Sequence, residues 1–418
     1  MFSILSTGKF FKPQLLIAKV SMRILPLALF SFFLAQTGVA HSVSNYGVSK
    51  GNEELLLKGF ESIAEHKFDL AIEQIKQLVT IRPDFKLAQL VYADLLNAQV
   101  NPVSKIGSNF TESEQKKVTG LIAEAKARIL LRKEKPTQNF IPKNIVMLSD
   151  KQKYVIVQDM RLSRLFVFEN RDGVPHLIKD YYASHGQGGT DKRKQGDKKT
   201  PVGVYFTTGR LLDENLPQRY GAGALPLNYP NAWDYRNKRT GNGIWLHGSP
   251  VDTYSRPPLA SLGCLSLTNP DFQEVDELIS NGTPMILGVD LQWISPEAWS
   301  KQKEQMLSVV KNWENDWESL DHQRYIKNYS KTFSDGSVNY QKFSEHKKRV
   351  NSNKDFIDID LKDLNIFTYP DTELMVVSFN QQYKSSNYNG SGLKRQYWQK
   401  EAQAWKIAYE GAPSKGIP

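Results

Sequence analysis

Cys264 is the single cysteine among 418 residues. It lies in the run Ser261-Leu262-Gly263-Cys264-Leu265-Ser266-Leu267, downstream of Gly243-Ile244-Trp245-Leu246-His247-Gly248. Without a second cysteine no internal disulfide can form, which leaves the thiol for other chemistry. A Cys/His pair is the minimum equipment for thiolate attack on an acyl group. Such an attack needs a base for the thiol, donors for the developing oxyanion and a proton for the leaving amine. His247 suits the first and third tasks, and general acid–base help of this kind is worth ~10²–10⁴-fold in rate. The Leu262-Gly263-Cys264 turn can aim backbone N–H groups at the oxyanion, and losing one such donor typically costs ~3 kcal/mol. Gly263 and Gly248 would let a substrate approach closely. Either residue alone reads as a buried cysteine or a core histidine; two glycine-flanked turns in one β-rich region favour catalysis.

Other chemistries have less support. Gly221-Ala222-Gly223 lacks the third glycine of a dinucleotide loop, with Pro226 in its place. There is neither a phosphate-loop lysine motif nor a His-Glu-x-x-His pair. The seven histidines are scattered, and none stands at zinc spacing from the cysteine. No metal and no cofactor are expected.

The chain is long enough for two or three domains at ~100–200 residues each. Hydrophobic residues make up 40% and aromatic residues 11%, enough for real cores, and the formal charge is +10. That excess suits an anionic partner: a carboxylate-rich cell wall, a membrane face or nucleic acid. Met22 and Arg23 precede a short apolar run that ends in Gln36-Thr37-Gly38-Val39-Ala40. This is the pattern of a cleaved export signal over 1–40, with Met1 or Met22 as the start and a mature chain from near His41. The apolar run is shorter than the ~20 residues that span a bilayer, so no stable membrane span is expected. Export to the periplasm argues against nucleic acid. No cysteine stands directly after the expected cut, which argues against a lipid anchor. The basic stretch 191–199 contains two acids and reads as a solvated loop before a binding patch.

Three segments follow, a multidomain arrangement. Residues 51–135 carry Leu55, Gly59, Ile63, Ala71, Ile75, Leu78 and Val79 at helical spacing. The equal intervals between Gly59, Ala71 and Pro83 resemble one tetratricopeptide unit. A plain helical hairpin, docked on a neighbour or used in a homodimer, is the simpler reading. Residues 145–290 are mainly β, with alternation at Val155 and Val157 and at Leu165 and Val167, and with a short helix over 271–280. Residues 298–418 open with an amphipathic helix marked by Met306, Val309, Val310, Trp313, Trp317 and Leu320. Strands are expected over 356–361, 374–379, 393–398 and 405–409, with a turn over 387–392, an α+β arrangement.

His247-Gly248 followed by Ser261-x-Gly263-Cys264 closely resembles the catalytic signature of the L,D-transpeptidases, the YkuD-type peptidoglycan enzymes, and 196–203 resembles the family's loop before its central strand. The resemblance covers roughly 150–290. It implies a β-sandwich-like fold in which Cys264 attacks the diaminopimelate–D-Ala bond of a stem tetrapeptide. It also implies that a backbone carbonyl, of Ser261 or its neighbour, orients the imidazole. An amine acceptor then gives a cross-link or lipoprotein attachment, and water gives trimming; lipoprotein release is a further reaction within the family. Two positions depart from the pattern. Leu262 stands where the family has His, Arg or Lys, and Ser266 stands where it has Arg or Asn. Arg256 or the 192–199 loop is the expected source of the missing charge, and Tyr229 and Trp233 of the stretch 228–235 are candidates for lining the donor groove. The last segment resembles an NTF2-like domain, whose pocket would take glycan or a partner. The combination resembles the cell-shape L,D-carboxypeptidases of helical bacteria. The competing class is a non-catalytic wall-binding protein; peptidoglycan stem peptides and an envelope or lipoprotein acceptor are the expected partners.

Overall fold

The computed structural model describes residues 45–100, 107, 112–212 and 216–413, so the expected export signal over 1–40 lies outside the described residues. Among these residues no helix is long and apolar enough to cross a membrane.

The first segment is helical: α1 (Asn45–Ala64), α2 (Phe68–Ile81), α3 (Lys86–Ala98) and α4 (Glu112–Lys133). Leu56, Ala71, Ile75, Leu78, Leu87, Ala88 and Val91 form its core, so the helical spacing reports a real buried stripe. Gly59 is where α1 meets α2; a Cβ there would lie 2.4 Å from Ile75. The hairpin expected from sequence is thus extended by two further helices.

The central segment packs two sheets face to face. One runs in the order Val174–Tyr182, Arg164–Arg171, Tyr154–Asp159, Pro284–Gly288 and Gly203–Phe206. The other runs Leu265–Ser266, Trp245–His247, Gly223–Pro226 and Leu211–Leu212. Ile156, Leu165, Val167, Leu225, Leu246, Leu265 and Leu287 fill the space between them. The helix Asn269–Leu278 closes one side, started by Thr268, whose Oγ1 accepts from the Asp271 amide at 3.3 Å.

The outer face of the five-stranded sheet is also buried. Val155, Val157, Phe166, Phe168 and Ile286 pack against Phe367, Leu374, Val376 and Tyr397 of the last segment. Alternation at Val155 and Val157 therefore marks an interdomain face rather than a solvated one.

The last segment is the helix Pro296–Glu318 packed in a curved antiparallel sheet, in the order Ala404–Gly411, Asn389–Glu401, Leu374–Ser385, Ile357–Thr368 and Ile145–Met147. Trp313, Trp317, Phe379 and Trp398 dominate its core. Two expectations are corrected. Ile145–Met147 belongs to this sheet, because its residues pair with Ile366 and Phe367. The turn expected over 387–392 is shorter, because Asn389–Glu401 is already strand.

Candidate active site

The strand Trp245–His247 runs parallel to Leu265–Ser266, with Leu246 opposite Leu265 and His247 opposite Ser266. Pleating sends Leu246 and Leu265 into the core and puts Trp245, His247, Cys264 and Ser266 on the other face. The two residues singled out from the sequence are thus placed on one surface by strand register alone.

Both are buried. The thiol donates to the Gly243 carbonyl at 3.3 Å, and the backbone of Trp245 hydrogen-bonds the sulfur. Burial pushes the thiol above its ordinary value, while Trp245 and the charges of Arg219, Lys192 and Arg256 pull it back. Burial also holds the His247 imidazole down at about 4, reinforced by Arg256 and Arg219 and opposed by the Gly248 carbonyl. The resting pair at neutral pH is therefore neutral thiol and neutral imidazole.

The carbonyl that orients the ring is that of Gly248, 2.6 Å from Nδ1, and not that of Ser261. This bond places the proton on Nδ1 and leaves Nε2 as the basic nitrogen. The Tyr220 ring stands edge-on to the imidazole at 5.0 Å and packs on Trp245 at 4.8 Å.

Ser261 closes the turn that carries Cys264. Its Oγ donates to the Cys264 carbonyl at 2.6 Å and accepts from the Gly263 amide at 3.1 Å. Gly263 has φ +130, and a Cβ there would sit 2.8 Å from the Lys199 carbonyl oxygen. Glycine is thus required by both conformation and space. Thr200, which sequence reasoning passed over, holds the same turn from the other side. Its Oγ1 donates to the Gly263 carbonyl at 2.8 Å and accepts from the Gly186 amide at 2.9 Å. The only sequence signal was its place in the loop at 196–203.

Gly248 serves the scaffold. A Cβ there would meet Asn269 Oδ1 at 2.3 Å, and that oxygen accepts from the Ala222 and Ser249 amides at 2.9 and 3.0 Å. Leu262 is 64% exposed at the rim of the turn. Ser266 is buried, donates to the Gly248 carbonyl at 3.0 Å and accepts from Arg256 Nη1 at 2.9 Å. The charge missing at 266 is thus present in space, carried by Arg256 from the preceding loop. Lys192 also lies close, but it is buried and paired with Asp197 at 2.8 Å. The 191–199 stretch is accordingly an anchored loop rather than a wholly solvated one.

Two candidates are corrected. Tyr229 is fully buried in the sandwich core, its hydroxyl donating to the Thr240 carbonyl at 3.2 Å. Trp233 stacks on Tyr397 of the last segment, with centroids 5.8 Å and planes 14° apart. Neither lines a groove at Cys264; both are packing residues. Among the described residues no three His, Cys, Asp or Glu side chains converge on a metal site.

A concavity of about 540 Å³ lies in the last segment, lined by Trp317, Lys347, Lys354, Tyr383, Tyr388 and Lys394. Lys347 sits 4.5 Å above the Trp317 ring, and burial lowers its ammonium to about 8.

Residues 152–287 match the family of the L,D-transpeptidase catalytic domain, and residues 305–411 match the Cds6 C-terminal NTF2-like domain. No curated protein matches. Among solved structures, Bd1075 of Bdellovibrio bacteriovorus is 28% identical with a TM-score of 0.59, covering 66% of this chain and 100% of that one. The helical cell shape determining protein Pgp2 from Campylobacter jejuni is 22% identical with a TM-score of 0.56, covering 70% and 99%, a likeness of fold. The chain therefore carries a YkuD-type L,D-transpeptidase catalytic domain, preceded by a helical region and followed by an NTF2-like domain.

Proposed function

We propose that the protein is a periplasmic cysteine acyl-transfer enzyme acting on the diaminopimelate–D-Ala bond of peptidoglycan stem tetrapeptides. The observation that carries this reading is the shared strand face of Cys264 and His247, with Nδ1 engaged by Gly248.

In the first half-reaction His247 Nε2 takes the thiol proton and Sγ attacks the diaminopimelate carbonyl carbon. The C–N bond to D-Ala breaks, and His247 returns the proton to the leaving amine. The product is a thioester on Cys264. An amine or water then attacks this thioester, Sγ leaves as thiolate, and the attacker's proton passes through His247 back to sulfur. The Gly263 amide is already taken by Ser261, so the Cys264 amide is the natural oxyanion donor of this turn. Arg256, beside Ser266, supplies the positive charge for the terminal D-Ala carboxylate. The lysine-lined concavity in the NTF2-like domain offers a second contact for an anionic wall polymer.

The protein and its Cys264→Ala variant are incubated with tetrapeptide muropeptides, and products are read by mass spectrometry. Loss of D-Ala with new 3–3 dimers marks transpeptidation, whereas tripeptides alone mark L,D-carboxypeptidation. Absence of any Cys264-dependent product, with lipoprotein-linked sacculi also unchanged, overturns the enzyme reading in favour of a wall-binding protein. For the second contact, Lys347→Ala together with Lys354→Ala is expected to weaken pull-down by sacculi while leaving turnover of soluble muropeptides intact.

A further inference from the structure

We propose that the helical region is a working part of the site: it grips residues 254–257 and so holds Arg256 where it reads the substrate's terminal carboxylate. The substrate class rests on the proposed function above; the grip itself does not.

Four consecutive residues are held. Tyr254 is buried in the helical core, 4.7 Å from the Phe85 ring, with Arg82 stacked on it at 4.4 Å. Ser255 Oγ accepts from the Leu87 amide at the start of α3 (3.0 Å), and Glu124 of α4 also bonds this serine. The Arg256 carbonyl accepts from the Tyr182 hydroxyl at 2.8 Å, and the Tyr182 ring lies 4.1 Å under Arg128 of α4. Pro257 packs on Gly120 of α4 so closely that a Cβ at 120 would sit 2.9 Å from its Cγ. On either side the hold ends, since Val251 is 87% exposed and Leu259 50% exposed. This segment is the connection between His247 and Cys264, and its side chain nearest the chemistry is Arg256.

Arg256 is suited to an anion. Its Nη1 donates to Ser266 Oγ at 2.9 Å and its Nη2 to the Ala260 carbonyl at 3.4 Å. Among the described residues no carboxylate pairs with it, and burial lowers the guanidinium from its ordinary value. A half-buried guanidinium without an acid is poised for a carboxylate brought by substrate. The catalytic domain contacts Arg256 itself through Tyr182, Ser266 and Ala260, whereas the helical region holds its neighbours Tyr254, Ser255 and Pro257.

The test compares a stem tetrapeptide bearing a free C-terminal carboxylate with its C-terminal amide. Binding is measured by calorimetry on a Cys264→Ala background, alongside hydrogen exchange of residues 249–262. A charged hydrogen bond at this site predicts a preference for the acid of ~10-fold or more. Tyr254→Ala is expected to bring the ratio close to one and to speed exchange over 249–262, with the five-stranded sheet still protected. Ser255→Ala is expected to do the same to a smaller degree. The proposal is overturned if Tyr254→Ala keeps the acid preference, or if 249–262 stays as protected as in the parent. Loss of preference in Arg256→Ala but not in Tyr254→Ala would leave Arg256 its role and remove the grip. If neither peptide binds the parent, the wall-peptide reading falls, and the exchange result alone decides the grip.

Discussion

The catalytic domain is covered on two sides by different physics. Towards the NTF2-like domain the contact is mainly apolar and aromatic: Trp233 on Tyr397, Phe206 on Phe367, and two sheets sharing one core, with Arg395 over the Phe206 ring and Asn231 donating to the Tyr369 hydroxyl. Towards the helical region it is built on buried ions. Glu53 of α1 bonds Arg164 of the catalytic sheet and Arg128 of α4, both at 2.7 Å, and Arg128 also bonds Glu124 at 2.9 Å. Arg164 further pairs with Asp180. An apolar interface is indifferent to pH, whereas a buried ionic one holds only while its charges match. The conditional interface is the one that reaches Arg256.

Removing one partner from the ionic cluster breaks this comparison most severely. Arg164→Ala strands Glu53 and Asp180 without their shared cation and is expected to cost ~3–5 kcal/mol in urea unfolding. Hydrogen exchange should then show α1 and α4 loosening ahead of the NTF2-like sheet.

Acid tests the same contact without mutation. Burial raises the Glu53 carboxyl, but Arg164 and Arg128 outweigh it and hold it at about 2, against an ordinary value of 4.5. A lowered acid stabilises above its unfolded value and loses that contribution as pH falls towards the folded one. Between pH 4.5 and about 2 the helical contact should therefore lose on the order of 3 kcal/mol. Thermal melts across that range should show the helical region leaving first.

Trp233→Ala probes the opposite face. Losing a half-buried indole is expected to cost about 2 kcal/mol. The loss should be the same at pH 8 and pH 9, both above the neighbouring Asp234 carboxyl, which burial raises to about 6, and a pH-dependent loss there would contradict an apolar contact.

The smallest effect sharpens the contrast. Burial pushes Glu124 up to about 7 despite Arg128. A raised acid favours folding below its unfolded value, so its contribution fades as pH rises from 4.5 to about 7. Glu124→Gln keeps a side chain able to meet Ser255 and should flatten that limb, gaining about 1 kcal/mol at pH 8 over the parent.

Much of this was legible in the chain. The Cys264 and His247 turns stand out because glycine beside a reactive side chain is a local signal, and the helix marked by Trp313 and Trp317 follows from its spacing. Thr200, Tyr254 and Glu124 carried no such signal. Their partners are distant in sequence, and a threonine before a proline or a glutamate on a helix looks the same whether or not its contact exists. Tyr229 and Trp233 misled for the same reason: an aromatic loop reads alike whether it lines a groove or meets another domain.

The sequence by itself determined the candidate Cys264/His247 pair, the glycine that the Cys264 turn requires and the three-part order of the chain, because each is written in residue type and short spacing. Only the tertiary structure decided that the Gly248 carbonyl bonds the imidazole, that Ile145–Met147 belongs to the last sheet and that Arg256, of the two charges the sequence offered, bonds Ser266. The strand pairing joins segments far apart in the chain, while the two hydrogen bonds join near neighbours through a ring orientation and a loop path that residue type and spacing do not specify.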